Sequence, residues 1–374
     1  MVKKKSIFPL TKLSDVVSMK SGESITAERI TSEEKFPCFG GNGLRGYTTT
    51  FTHDGSYTLV GRQGALCGNV TFVSGRFYAS EHAIVVTPKK ETDIKFMSYV
   101  LYDMNLNQYS ESSAQPGLSV KKLLELEYPI PQNKEEQTAI AEALSNIDSL
   151  ISSLQKLIEK KKAIKQGAMQ ELLTGKKRLP GFSGEWEKNT LKQICEFING
   201  RAYSQHELLS RGKYKVLRLG NLFTNSHWYY TDLELGEKQY CETGDLLYAW
   251  SASFGPTIWD GEKSVFHYHI WKIKCSETID KKYLYHFLNA DVSSILNELQ
   301  GGTMSHLTKE NMENRLCSYP KLDEQQAIAQ VLSDMDSEIE QLEKKLVKYQ
   351  QIKQGMMQEL LTGRIRLKEG ENNV

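Results

Sequence analysis

The chain contains one long segment twice. Residues 137–179 and 325–367 align without a gap at a constant offset of 188, and 25 of their 43 positions are identical. Both copies carry Ile-Lys-Gln-Gly-x-Met-Gln-Glu-Leu-Leu-Thr-Gly, at 164–175 and at 352–363. A repeat this strong dictates the plan of the molecule before any local reading is made. In the first copy Ile140, Leu144, Ile147, Ile151, Leu154 and Ile158 are separated by alternating steps of four and three. Ile328, Leu332, Met335, Ile339, Leu342 and Leu346 keep that rhythm in the second. Apolar residues at this period form one stripe on an α-helix, and so long a stripe calls for a helical partner. The simplest partner is the other copy, running antiparallel. Pro131 and Pro320 precede the two helices, Gly175 and Gly363 stand where C-terminal caps belong, and Pro180 blocks continuation of the first. About 40 helical residues span about 60 Å. Gly167 and Gly355 lie inside the pattern, each costing about 1 kcal/mol relative to alanine. They read either as tolerated weakness or as a close crossing that a side chain would obstruct. From Lys160 to Lys165 the first seam turns polar, so the pair is expected to open there or to meet another protein. Lys160, Lys161 and Lys162 read first as a solvated face, with contact to DNA or a partner as the alternative.

The segments between the helices differ in texture. They are rich in glycine, aromatics and β-branched residues, with short strand-like runs such as Tyr57–Val60, Ala83–Val86 and Asp245–Tyr248. They align only loosely: Leu13–Val17 answers Leu191–Cys195, and Ser56–Arg62 answers Gly244–Trp250. The expected fold is α+β, a pseudo-twofold repeat of two α/β-mixed globular domains separated by two long antiparallel coiled-coil helices. The boundaries read 1–132 for the first globular domain, 133–180 for the first long helix, 181–320 for the second globular domain and 321–374 for the second helix and tail. The helices stayed nearly unchanged while the globular parts diverged, as expected of common hardware carrying two different readers.

Charge narrows the function. The whole chain carries a formal net charge of +1. Residues 1–132 hold 15 Lys and Arg against 13 Asp and Glu, and residues 189–320 hold 14 against 15. Neither domain is a basic block, so any hold on nucleic acid must come from local clusters and be sensitive to salt. The six cysteines form no C-x-x-C pair, which fits reduced thiols rather than a disulfide frame or a zinc site. No run of apolar residues is long enough to cross a membrane, and the lysine-rich start has no apolar segment behind it, so a cytoplasmic protein is expected.

Three further motifs carry a resemblance: Pro131-Gln132-Asn133-Lys134-Glu135-Glu136-Gln137 followed by Ala139-Ile140-Ala141, the paired Met-Gln-Glu-Leu-Leu-Thr-Gly, and Arg178-Leu179-Pro180-Gly181-Phe182 leading to Glu185-Trp186. Over essentially its full length the chain resembles the DNA-specificity (S) subunits of type I restriction–modification systems. The distal copy departs only in having one residue fewer between Pro320 and Gln325 than the central copy has between Pro131 and Gln137. The resemblance implies a non-catalytic host-defence protein. Two target-recognition domains would each read half of a split site on double-stranded DNA, and the helices would set the gap. Two modification subunits would dock and methylate adenine, and restriction subunits would join them. S-adenosylmethionine, ATP and Mg would belong to those partners, leaving this chain without a cofactor. Four residues inserted after Leu173 would then lengthen the gap by about 1–2 base pairs.

Catalytic motifs give little competition. Phe39-Gly40-Gly41-Asn42-Gly43 matches a loop that can hold S-adenosylmethionine, but no N-P-P-[FY] or D-P-P-Y follows, and a glycine-rich loop of the first domain is the plainer reading. There is no P-loop signature, and Ser80-Glu81-His82 lacks the G-x-S-x-G elbow of a hydrolase. His267-Tyr268-His269 would set two imidazoles on one face of a strand, toward a metal, toward DNA or simply toward solvent. The residues expected to meet DNA are Arg45, Arg62, Gln63, His82, Gln115, Ser119 and Lys121 in the first domain. In the second they are Arg218, Asn221, Trp250, Ser251, His267, His269, Ser305 and His306. Arginine suits guanine, Asn and Gln suit adenine, and these positions lie in Gly-flanked loops or beside strand ends. Trp228-Tyr229-Tyr230 is a further candidate, though such a cluster is more often core. Two rivals stay open: a coiled-coil assembly protein that reads no DNA, and a self-contained DNA methyltransferase.

Overall fold

A computed structural model describes residues 6–110, 116–223, 226–251, 253–300 and 307–367, without the side chains of 253 and 298–300. The chain divides into two compact units, Met1–Gln155 with Lys344–Val374, and Lys156–Glu343. Both divisions fall inside long helices, Lys134–Leu172 and Leu322–Leu360, so each unit is one globular domain plus part of both helices.

In the first unit a six-stranded sheet runs in the order Val17–Ser21, Ala83–Pro88, His53–Gly61, Val70–Ala79, Phe36–Gly40, Gly43–Thr48. Ala83, Ile84, Val85 and Val86 are all buried because their strand is covered on both faces. Ile84 and Val86 join Phe96, Met97 and Leu101 of helix Ile94–Asp103, while Val85 turns to Leu59, Val73 and Phe77 on the other side.

The second unit repeats this succession with Cys195–Asn199, Ile270–Cys275, Leu246–Ser251 and Ser253–Ile258. The pairings agree residue by residue. Gly61 faces Ala83, and Ala249 faces Ile270. Val17 faces Pro88, and Cys195 faces Cys275. The loose alignment of Leu13–Val17 with Leu191–Cys195 therefore reflects a real structural equivalence. Beside this sheet the second unit has another of four strands, Tyr229–Thr231, Tyr214–Leu217, Ser264–Phe266 and Tyr240–Cys241.

The long helices pair antiparallel within the chain. Ile140 and Leu144 share the first unit's core with Met357, Leu360 and Leu361. Ile328 and Leu332 share the second unit's core with Met169, Leu172 and Leu173. Near the helix ends the seam thus packs into the globular domain as well as against the other helix. One sequence expectation needs correction here, and one open choice is decided. The polar stretch of the first helix does not open: Lys161 and Lys162 reach Glu338 and Glu343 of the second helix at 2.7 and 2.8 Å, and Lys165 pairs with Asp336. Nor do Gly167 and Gly355 mark a close crossing, because a Cβ at either would meet nothing within 4 Å. The caps are as expected. Gly175 and Gly363 have φ of +70° and +72°, a conformation glycine adopts without strain.

Each helix is keyed to its domain by one buried glutamine. Gln137 Oε1 accepts from the backbone N–H of Asp93 at 2.8 Å, and its Nε2 donates to the Pro131 carbonyl at 2.9 Å. Gln325 does the same with Asp280 and Pro320, both at 2.8 Å. Asp93 and Asp280 then cap helices Ile94–Asp103 and Lys281–Gln300 by accepting from Phe96 and Tyr283. Arg178 holds Glu324 at 2.5–2.6 Å, and Arg366 holds Glu136 at 2.8 Å. The residues repeated in the sequence are these fastenings.

Candidate functional site

The equivalent strands end in equivalent loops, and there the two units diverge in chemistry. Arg62 N–H donates to the His82 carbonyl at 2.8 Å, and Trp250 N–H donates to the His269 carbonyl at 3.2 Å. Leu118 N–H donates to Arg62, and Leu307 N–H donates to Trp250. Glu23 bridges to Ser80, and Arg201 bridges to His267, both in parallel. Position by position, Arg62 answers Trp250, Ser80 answers His267, and His82 answers His269. One backbone frame presents two unlike sets of side chains.

In the first unit Arg62, Gln63 and His82 converge. Gln63 Oε1 lies 3.2 Å from His82 Nδ1, Glu81 Oε1 lies 3.3 Å from His82 Nε2, and Arg62 Nη1 donates to Ser21 Oγ at 3.0 Å. The Gly-rich stretch is the turn of the hairpin Phe36–Gly40/Gly43–Thr48, not a nucleotide loop. A Cβ on Gly41 would lie 2.9 Å from the Gln63 carbonyl, and one on Gly40 would lie 2.4 Å from Arg45 Cδ. The absence of side chains at 40 and 41 therefore brings the hairpin, with exposed Arg45, against Gln63 and His82. Ser119 and exposed Lys121 stand at the start of the short helix Val120–Leu124, just past the segment that bonds Arg62. Gln115 lies outside the described residues. Ser80 Oγ is buried without a hydrogen-bond partner, so it is not paired with His82 as a hydrolase would need.

In the second unit Arg218, Asn221, His267 and His269 line one pocket of about 480 Å³, with Leu219, Gly220, His227, Tyr229 and Tyr268. The histidines are not on a strand, as their spacing suggested. They occupy a turn between Ser264–Phe266 and Ile270–Cys275, and the turn brings their ring centroids to 4.9 Å. Burial, then His269 and then Arg218, push His267 down to about 4. Burial and Arg218 lower His269 as well. Both imidazoles are neutral at pH 7, able to donate from one nitrogen and accept at the other. The Arg218 guanidinium lies over the Tyr229 ring, 5.3 Å from its centroid. Asn221 is engaged in the loop itself: Oδ1 accepts from Arg218 N–H at 3.2 Å, and Nδ2 donates to the His227 carbonyl at 2.8 Å. Trp250 packs on His269 with centroids 5.3 Å apart, and Ser251 ends its strand. Ser305 and His306 lie outside the described residues.

Sequence reasoning missed His227 and Tyr268 as pocket walls and named Tyr229 only within an aromatic cluster. That cluster divides at the start of the strand Tyr229–Thr231: Trp228, just before it, packs toward a core of Leu217, Leu247 and Phe266, while Tyr229 lines the pocket. Among the described residues no group of three or more His, Cys, Asp or Glu side chains could hold a metal ion. No helix among them is long and apolar enough to cross a membrane.

Residues 9–166 and 183–353 each match the family model of the type I restriction modification DNA specificity domain. The chain belongs to this family. It is 46% identical over 146 residues to the type I restriction enzyme EcoprrI specificity subunit of Escherichia coli, a match covering 38% of this chain and 36% of that subunit. It is 27% identical over 301 residues to the MjaVIII specificity subunit of Methanocaldococcus jannaschii, covering 72% of this chain and 70% of that one. In fold it is similar to the crystal structure of the S subunit of a type I restriction–modification system from M. genitalium, with a TM-score of 0.72, 20% identity and coverage of 96% and 97%. Two specificity domains in one chain account for the doubled architecture, and the unlike loops are where two specificities would differ.

Proposed function

We propose that this specificity subunit reads a bipartite DNA target, one half with each globular domain, across a gap set by the paired helices. The observation that carries this reading is the contrast between the equivalent strand-end loops and their fastenings. The Gln137 and Gln325 clamps are the same, whereas Arg62, Ser80 and His82 are replaced by Trp250, His267 and His269. Identical mounts with unlike tips suit two readers of different sequences. The repeated helices then offer the same surface to two copies of a modification subunit, with restriction subunits joining that core. Adenine methylation and DNA cleavage, with their S-adenosylmethionine, ATP and Mg, fall to those partners, in the cytoplasm where chromosomal and invading DNA are met.

Methylation mapping tests this. The chain would be co-expressed with its modification subunit in a host free of adenine methylation, and modified adenines read by long-read sequencing. The expected result is a two-part motif with a fixed gap, in which replacing residues 200–275 changes one half only. A single uninterrupted motif would mean that one domain reads DNA. A stable complex that methylates nothing would favour an assembly protein instead.

A further inference from the structure

The pocket of the second domain brings together Arg218, His267 and His269 without a counter-charge. No carboxylate lines it among the described residues. Arg201, which bridges to His267, is already paired with Glu207, and the remaining walls facing the two imidazoles are His227, Tyr229, Tyr268 and the Trp250 ring. A guanidinium beside two imidazoles is electrostatically unfavourable for any proton the imidazoles would carry. An anion placed among them reverses that sign. The space of about 480 Å³ is ample for a tetrahedral oxyanion; Asn221 Oδ1 fixes the Arg218 backbone by accepting its N–H, and the guanidinium lies over the Tyr229 face.

We propose that the Arg218–His267–His269 pocket binds a phosphate of the DNA backbone and takes up a proton from solvent as it does so. The inference rests on the DNA-reading role proposed above. With the phosphodiester monoanion seated, the imidazole pair binds one proton, and both rings donate N–H groups to phosphate oxygens alongside Arg218; no covalent bond changes. The counterpart in the first domain cannot act this way. Phe39 pairs in parallel with Ala79 as Leu217 pairs with Phe266, so Gly40 and Ser80 stand where Arg218 and His267 stand, and His82 already has the Glu81 carboxylate at 3.3 Å. Proton uptake therefore belongs to one half of the site, and DNA affinity should rise on mild acidification through that half alone.

The test uses the full chain and a random-sequence DNA duplex, with calorimetry in buffers of different ionisation enthalpy at about pH 7.5 and about pH 6. Net proton uptake is expected, with affinity rising by up to tenfold per pH unit for each proton taken up. His267→Gln with His269→Gln should abolish both the uptake and the pH slope and weaken binding more at the lower pH than at the higher. Arg218→Gln should weaken binding at both, and His82→Gln should leave the uptake unchanged. Inorganic phosphate should raise the midpoints of the His267 and His269 imidazole signals in NMR titrations of the same protein. Duplex binding with no uptake, or uptake that survives the double substitution, would overturn the pocket assignment. Absence of duplex binding at either pH would instead overturn the reading role, and the phosphate titration would then decide the pocket by itself.

Discussion

A few buried polar side chains do more to define this protein than its apolar seam does. Gln137 and Gln325 are 2% and 0% exposed, yet each amide is satisfied by backbone groups of the globular domain and of the chain leading into the helix. An apolar side chain of the same size would strand those groups, so the glutamine fixes one way of seating the domain. His286 is different. It is 1% exposed, Nε2 lies 3.1 Å from Ser333 Oγ, and Nδ1 has no hydrogen-bond partner although Asp336 stands 3.9 Å away. Burial pushes it down to about 4, opposed by the Asp336 carboxylate and reinforced by the Lys165 ammonium. The sign follows directly. The unfolded chain holds the extra proton below about pH 6.5, so stability is complete above that pH and is lost as pH falls from about 6.5 through about 4, by at most about 3 kcal/mol. Denaturant unfolding across that range should show this loss, and His286→Phe should flatten it by about one proton.

At the scale of elements the two long helices explain why heptads alone describe them incompletely. Ile140 and Leu144, like Ile328 and Leu332, pack among the strands and helices of a globular core. Only between these ends do the helices depend chiefly on each other, and there the contacts include ion pairs as well as Leu154, Ile158 and Ile339. Exposed ion pairs of this kind contribute little individually and chiefly set register. The glycines separate by environment. Gly167→Ala and Gly355→Ala place a methyl in open space within a helix and should each stabilise by about 0.5–1 kcal/mol. Gly363→Ala puts a Cβ at φ +72° and 2.7 Å from Ile7, and should cost more than about 1 kcal/mol. Thermal or chemical denaturation of the three variants checks both directions.

For the whole molecule, length is the natural variable if the helices set the gap. Leu173 is buried in the second unit's core, so residues inserted after it would disturb packing and not simply add length. The place to lengthen is where the units divide, after Gln155 and after Glu343. Seven residues added at both points keep the helical faces nearly in phase and add about 10 Å to each helix, about 3 base pairs of duplex. Methylation mapping should then return the same two half-motifs with a gap longer by about 3 base pairs. A change in either half-motif would contradict a spacer role for the helices.

The repeat and its period were sufficient to establish two long helices and their caps, because those properties depend on spacing along one element and on near-identity between copies; short motifs within and beside the repeat carried the family resemblance, while pairing of the helices within one chain was decided by the packing of both into each core. The loop chemistry was legible only as a set of residue types. Proximity of His267 to His269, of Arg218 to Tyr229 and of Gln63 to His82 depends on turns and strand pairings between residues far apart in sequence. The same holds for Lys161 and Lys162, which read as a solvated face until Glu338 and Glu343 are placed opposite them, and for Lys165, whose polar stretch of seam is met by Asp336. Helical periodicity reports which face of an element is apolar; which charges meet across that face is decided by how the chain folds back on itself.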